Sequence, residues 1–386
     1  MNKIKKIVSF ESYLKILKLF GIDVGQNPTT QSRRTEIIVA RIVIKAIWIV
    51  LIVMNISNIY FSMYSGAPSF NENKKQFIVA MCMSMCSSMA WWYLLRYETK
   101  LSKALKKLLR IADLLEISQP QRFIILFSIC LMLSCIFVIF SYDSIIKLYD
   151  LDEMFSASTF DVLDSTHINS HFKLILIHLH YITKGFLILF NVSFVGFYVI
   201  VCCYMKLILN KHSHLNATTL KAELVSSENI DVCVWRYNAI LSTFQVINSI
   251  LCFPIFLSSS TNACAILWSF TYIIKKGFTG FVIGYILLIN FFMFTAVSFA
   301  ASAVNEADKM IKNSDKKLLC MLIMQDKHNL AANIRILRRM ATETPFCVEF
   351  LRIYKRALSD CHWNIYYIFF TYNTALKPMK HAPCEA

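Results

Sequence analysis

RYNAILSTFQVINSILCFPIFLSSSTNACAILWSFTYIIK, residues 236–275, carries a charge only at its two ends, Arg236 and Lys275. A helix rises ~1.5 Å per residue, so this stretch is longer than the ~30 Å hydrocarbon core of a bilayer requires. It reads either as one helix that projects beyond the membrane or as two spans broken at Ser258-Ser259-Ser260-Thr261-Asn262. The choice sets the side of everything that follows. A second span would place segment 305–362, with its 11 Lys and Arg, opposite the other basic segments. Basic residues stay on the cytoplasmic face of a membrane, so a single helix is expected, with Pro254 as the place for a kink.

Six further runs of the same character flank it. With 236–275 counted once, the spans are Ala46–Tyr64, Phe77–Leu95, Phe123–Tyr142, Gly185–Met205, Phe244–Trp268, Gly280–Val304 and the short Trp363–Leu376. Apolar runs of about 18 residues or more are read as membrane helices. Composition agrees: the chain is 56% hydrophobic and 17% charged, where soluble domains are about a quarter charged. The expected fold class is therefore all-α, a polytopic membrane protein of seven transmembrane helices.

Charge gives the bundle a direction. The N-terminal segment and segments 96–122, 206–243 and 305–362 hold 31 Lys and Arg, against 8 in 65–76, 143–173, 275–279 and 377–386. At comparable length, 96–122 has seven and 143–173 has two, and the latter also carries six Asp and Glu. The N-terminus is expected in the cytoplasm and the C-terminus outside. Four parts follow: a cytoplasmic segment 1–45, a six-helix bundle 46–304, a cytoplasmic helical link 305–362, and 363–386 as seventh helix and external tail. The net charge of +16 is spread between apolar blocks and not collected on one face, so nucleic acid is not an expected partner.

The N-terminus has a basic start but neither a long apolar run nor an A-x-A-like site, so it does not read as a cleaved signal. Ile7, Phe10, Leu14, Leu17 and Phe20 recur at helical spacing, which predicts an amphipathic helix on the inner membrane surface. In segment 305–362 the stripe Met310, Ile311, Leu318, Leu319, Leu322, Leu330, Ile334 and Leu337 predicts that the sixth helix continues into the cytoplasm, either as a face for subunit association or as a solvated connector.

No nucleotide-binding loop, H-E-x-x-H, G-x-S-x-G or C-x-x-C pattern occurs, so neither an enzyme, a cofactor nor a metal is expected. His178 and His180 are two apart and point to different faces of a helix; His212 and His214 read as solvated. Trp91 and Trp92 read as an interfacial anchor, and Lys184 as a snorkelling charge at the outer edge of the fourth span. A ligand cavity between the outer helix ends would draw on Tyr142, Tyr181, Lys184, Ser259, Thr261, Asn262, Phe281 and Tyr285.

An inverted seven-helix topology, a long cytoplasmic link before the last helix, and Thr371-Tyr372 within that helix together resemble an insect gustatory receptor. In that family the last span carries Thr-Tyr, five mostly apolar residues and then Gln-Phe; here Pro378-Met379 stand in the Gln-Phe positions. The resemblance implies a multi-pass plasma-membrane protein of a sensory neuron. It further implies a ligand-gated, non-selective cation channel, a homo- or hetero-tetramer gated by a small-molecule tastant such as a bitter compound or a sugar, with Thr371 and Tyr372 in the pore helix. A polytopic transporter and a non-conducting modulatory subunit are the other two classes that fit the residues.

Overall fold

The computed structural model describes residues 10–23, 42–50, 52, 53, 68–148, 152, 155, 169–221, 227–276 and 281–324. These residues form α1 (Phe10–Leu19), a helical stretch at 42–50, α2 (Pro68–Leu114), α3 (Gln121–Leu148), α4 (Ser170–Lys221), α5 (Ser227–Lys276) and α6 (Phe281–Met324). The seventh span, Trp363–Leu376, lies outside them, as does most of the first. Among the described residues there is no strand.

The charge-free stretch is one helix: α5 runs unbroken for 50 residues through Pro254 and the serine-rich run. The run stays helical because its hydroxyls bond back onto their own helix. Ser260 donates to the Phe256 carbonyl at 2.9 Å and Thr261 to the Leu257 carbonyl at 3.0 Å. A hydroxyl satisfied one turn back needs no loop or solvent.

Four described helices, α3 to α6, are long and apolar enough to cross a membrane. Their surroundings differ. In the most apolar part of α3 only 22% of the residues are buried, whereas in α4 67% are; α4 is therefore the central post and α3 a peripheral one. Phe123, Ile129, Met132, Ile136, Ile139 and Phe140 of α3 are all exposed. A contiguous apolar face of this kind would drive aggregation in water and fits a lipid-facing surface. The molecule is a polytopic helical membrane protein.

The helices outrun the bilayer at one end. At ~1.5 Å per residue, the 47 residues of α2 and the 52 of α4 far exceed the ~30 Å hydrocarbon core. Their basic ends form a second core: Leu101, Leu105, Leu108 and Ala112 of α2, at helical spacing, are buried, as are Ile208 and His212 of α4, Tyr237 of α5 and Ile311 of α6. The segments at 96–114 and 206–221 are thus continuous helix and not loops, and α6 continues as expected, at least to Met324. His212 is a correction to the sequence reading. It is fully buried, with its ring stacked against Tyr237 at 5.7 Å, while His214 is exposed.

A second correction concerns α1. Its stripe does exist, with Phe10, Tyr13, Leu14, Leu17 and Phe20 all buried, but protein covers it in place of lipid. Phe10 packs on Phe197 and Tyr204 of α4, and Phe20 on Phe186 and Phe190. The helix ends in a hydrogen-bonded turn: Ile22 N–H donates to the Leu17 carbonyl at 3.2 Å and Gly21 N–H to the Lys18 carbonyl at 2.9 Å, with Gly21 at φ 81. This left-handed stop suits glycine. Trp91 locks the end in place by donating from its indole nitrogen to the Phe20 carbonyl at 2.8 Å and stacking on Trp48 at 4.7 Å. Trp91 is thus a core residue; its neighbour Trp92, 61% exposed, keeps the position of an interfacial anchor.

Candidate functional site

Polar groups in an apolar bundle mark where work is done, because each needs a partner that lipid does not supply. Among the described residues, two such clusters that tie one helix to another stand out, both in the half of the bundle away from the basic end.

The first joins α4 to α5. Ser258 and Asn262 stand four residues apart, on one face of α5, and both address Asn191. Ser258 donates to the Asn191 side-chain oxygen, and the Asn191 amide donates to the Asn262 oxygen at 2.6 Å. Asn262 is fully buried and Ser258 nearly so. The Asn262 amide nitrogen and the Ser259 hydroxyl, also buried, have no hydrogen-bond partner among the described residues. An Asn191→Leu substitution would strand the two α5 groups. Leaving buried polar atoms unpaired costs about 1–3 kcal/mol, although interhelical bonds in membranes average only ~0.6 kcal/mol. The expected result is a destabilisation of about 1–2 kcal/mol, read as a lower thermal midpoint of the detergent-purified protein; an unchanged midpoint would show that the clamp holds nothing.

The second cluster joins α3 to α6. The Tyr285 and Ser134 hydroxyls are 2.9 Å apart, and the Tyr285 ring stacks on Phe137 at 3.8 Å. Ser134 also donates to the Cys130 carbonyl at 2.8 Å, which leaves its oxygen free to accept from the tyrosine. Close by, α3 and α4 touch at Gly185, where an added Cβ would come within 2.6 Å of a Val138 methyl. Tyr181, one turn from Gly185 and on the same face of α4, is half-buried. An aromatic ring with a hydrogen-bonding tip beside a second aromatic is the usual lining of a small-molecule site.

The residues singled out from sequence are therefore divided. Ser259, Thr261 and Asn262 belong to the α4–α5 side, Tyr285 to the α3–α6 side, and Tyr181 lies half-buried on α4. Lys184 is solvent-accessible on α4. The side chains of Tyr142 and Phe281, and all of Thr371 and Tyr372, lie outside the described residues. Sequence reasoning missed Asn191, Ser258, Ser134 and Phe137. Asn191 had a signal, being the sole carboxamide in the run 185–205.

Among the described residues no group of three His, Cys, Asp or Glu gathers to hold a metal ion. No protein-family model and no curated protein matches the sequence. Solved structures do. The chain is similar in fold to the insect olfactory receptor OR5 from Machilis hrabei, with TM-score 0.57 and 11% identity, over 98% of this chain and 99% of that one. The structure of that receptor in complex with eugenol gives TM-score 0.58 and 13% identity, over 89% and 90%. The fold of this membrane protein is that of an insect olfactory receptor, matched over nearly the full length of both chains.

Proposed function

We propose that this chain is an insect chemoreceptor subunit of the gustatory type, a ligand-gated, non-selective cation channel of the plasma membrane that detects a small-molecule tastant. The observation that carries the reading is the likeness of fold, over nearly both full lengths, to an olfactory receptor whose structure has been solved with eugenol. The charge distribution fits a seven-helix chemoreceptor with a cytoplasmic N-terminus, and Thr371-Tyr372 is the feature that favours the gustatory branch. In this reading the N-terminus and the basic helix ends face the cytoplasm, and the outer half of the bundle faces the stimulus. Tyr285, Ser134 and Phe137, with Tyr181 nearby, form the ligand site. Four copies, identical or mixed, then place the last helix with Thr371 and Tyr372 around a pore.

Expression in oocytes with a panel of bitter compounds and sugars tests the proposal. Ligand-evoked current is expected, and Tyr285→Phe is expected to shift the half-maximal concentration about 2–10-fold, the worth of one net hydrogen bond. A modulatory subunit is the second reading, favoured by Pro378-Met379 in the Gln-Phe positions. It predicts no current alone and an altered ligand response on co-expression with another receptor. Uptake of a compound without channel-like current would replace both readings with a transporter.

A further inference from the structure

A large groove has no part in the ligand reading. It opens at the basic end, between the start of α3, the inner part of α4 and the inner part of α6, with a volume of ≈ 1380 Å³. Its walls are apolar. Phe123, Phe127 and Phe292 line it along with Phe299, which is 72% exposed. Between and beyond the two α6 rings, Phe292 and Phe299, the residues Ala296, Ala300 and Ala303 stand on the same α6 face, opposite Phe123 and Phe127 of α3. Small side chains there leave a trough wide enough for a hydrocarbon chain.

The mouth differs from the walls. Arg122 and Lys206 stand there with Ser118, Gln119 and Gln121, and no Asp or Glu lines the groove. Arg122 is exposed and Lys206 half-buried; neither forms an ion pair with another described residue. Two cations without an ionic partner among the described residues and a set of hydrogen-bonding groups thus sit at the rim of an apolar trough that opens onto the outside of the bundle. That order, cationic rim above hydrocarbon wall, is complementary to an anionic amphiphile. A neutral lipid would leave the charges unmatched, and an acidic peptide would leave the aromatic trough unfilled.

We propose that this groove binds an acidic phospholipid, its headgroup phosphate and carboxylate on Arg122 and Lys206 and one acyl chain along Phe127, Phe292 and Phe299. Basic residues near an anionic leaflet each contribute enough to change binding severalfold. Bound there, the lipid would bridge α3, α4 and α6, the helices that also frame Tyr285.

Full-length protein reconstituted in phosphatidylcholine liposomes tests this, with a trace of photoactivatable phosphatidylserine or, in parallel, of photoactivatable phosphatidylcholine. After irradiation the adducts are mapped by mass spectrometry. Phosphatidylserine is expected to label the groove peptides around residues 122–127 and 292–303 preferentially. Arg122→Gln combined with Lys206→Gln is expected to reduce that labelling roughly tenfold or more, while labelling of the exposed α3 face at Ile129 and Ile136 is unchanged. Arg122→Gln alone, at an exposed position, gives a smaller loss in the same direction and guards against misfolding of the double variant. Equal groove labelling by both lipids, insensitive to the substitutions, would reduce the groove to ordinary lipid-facing surface. Absence of label from either lipid, with cross-links from the groove to residues 325–386, would show that the chain fills the groove itself. Either result overturns the proposal, and neither bears on whether the chain is a receptor.

Discussion

Gly196→Ala is expected to destabilise the protein by about 2–3 kcal/mol, the upper part of the usual range for overpacking, and Tyr13→Phe in the same chain is expected to restore part of the loss. A Cβ built at Gly196 would lie 2.0 Å from the Tyr13 hydroxyl and 2.9 Å from a Phe127 ring carbon. Tyr13 has nowhere to go. It is 1% exposed, and its hydroxyl donates to the Ser193 carbonyl at 3.1 Å; burial pushes the phenol well above its ordinary range, so it remains a neutral donor. Adding one methyl must therefore move α1, α3 or both. Tyr13→Phe alone loses one hydrogen bond, about 1 kcal/mol. In the double variant the hydroxyl is absent and only the Phe127 ring still crowds the methyl, so the two changes are not additive and their coupling is favourable. Thermal unfolding of the detergent-purified single and double variants measures this. A neutral Gly196→Ala would mean that α1 does not sit against α4 as described.

Trp91→Ala is expected to have the largest effect of any single truncation at the α1 end, about 3–5 kcal/mol. Trp91 is buried, stacks on Trp48 and caps the Phe20 carbonyl. Its loss opens a cavity beneath α1 and removes the bond that fixes the helix end. Trp92→Ala, at the adjacent exposed position, is expected to stay within ~0.5 kcal/mol, as surface changes usually do. Trp91→Phe should fall between them, because it keeps a ring in the stack and loses the N–H. Similar midpoints for Trp91→Ala and Trp92→Ala would return both residues to the role of membrane anchors.

These two residues show what the sequence does and does not disclose. Trp91 and Trp92 are adjacent, identical and at the end of an apolar run, so nothing local separates the clamp from the anchor; only the arrival of α1 does. In water, polarity marks which face of a helix is buried. In lipid, both a buried and a lipid-facing face are apolar, so residues 123–140 and 190–205 read alike although α3 is peripheral and α4 central. The four spans in α3 to α6 were legible because hydrocarbon thickness sets a minimum length for an apolar helix. The continuity of α5 was legible because charge on 305–362 made the split unfavourable.

The candidate site was legible only in its polar half. Ser259, Thr261 and Asn262 stand out in an apolar run, and the structure does bury them. Ser134 and Phe137 looked like ordinary residues of a span until Tyr285 reached them from α6. His212 is the opposite case: a polar stretch on a long helix reads as solvated, although the extension of α2, α4, α5 and α6 beyond the apolar spans creates a second core there.

The proposed topology has an odd number of spans with the basic helix ends in the cytoplasm. Epitope tags at the two termini of the full chain, detected in intact and then in permeabilised cells, test it most directly. The C-terminal tag is expected to stain in intact cells and the N-terminal tag only after permeabilisation. Both tags on one side of the membrane, or the N-terminal tag outside, would contradict it.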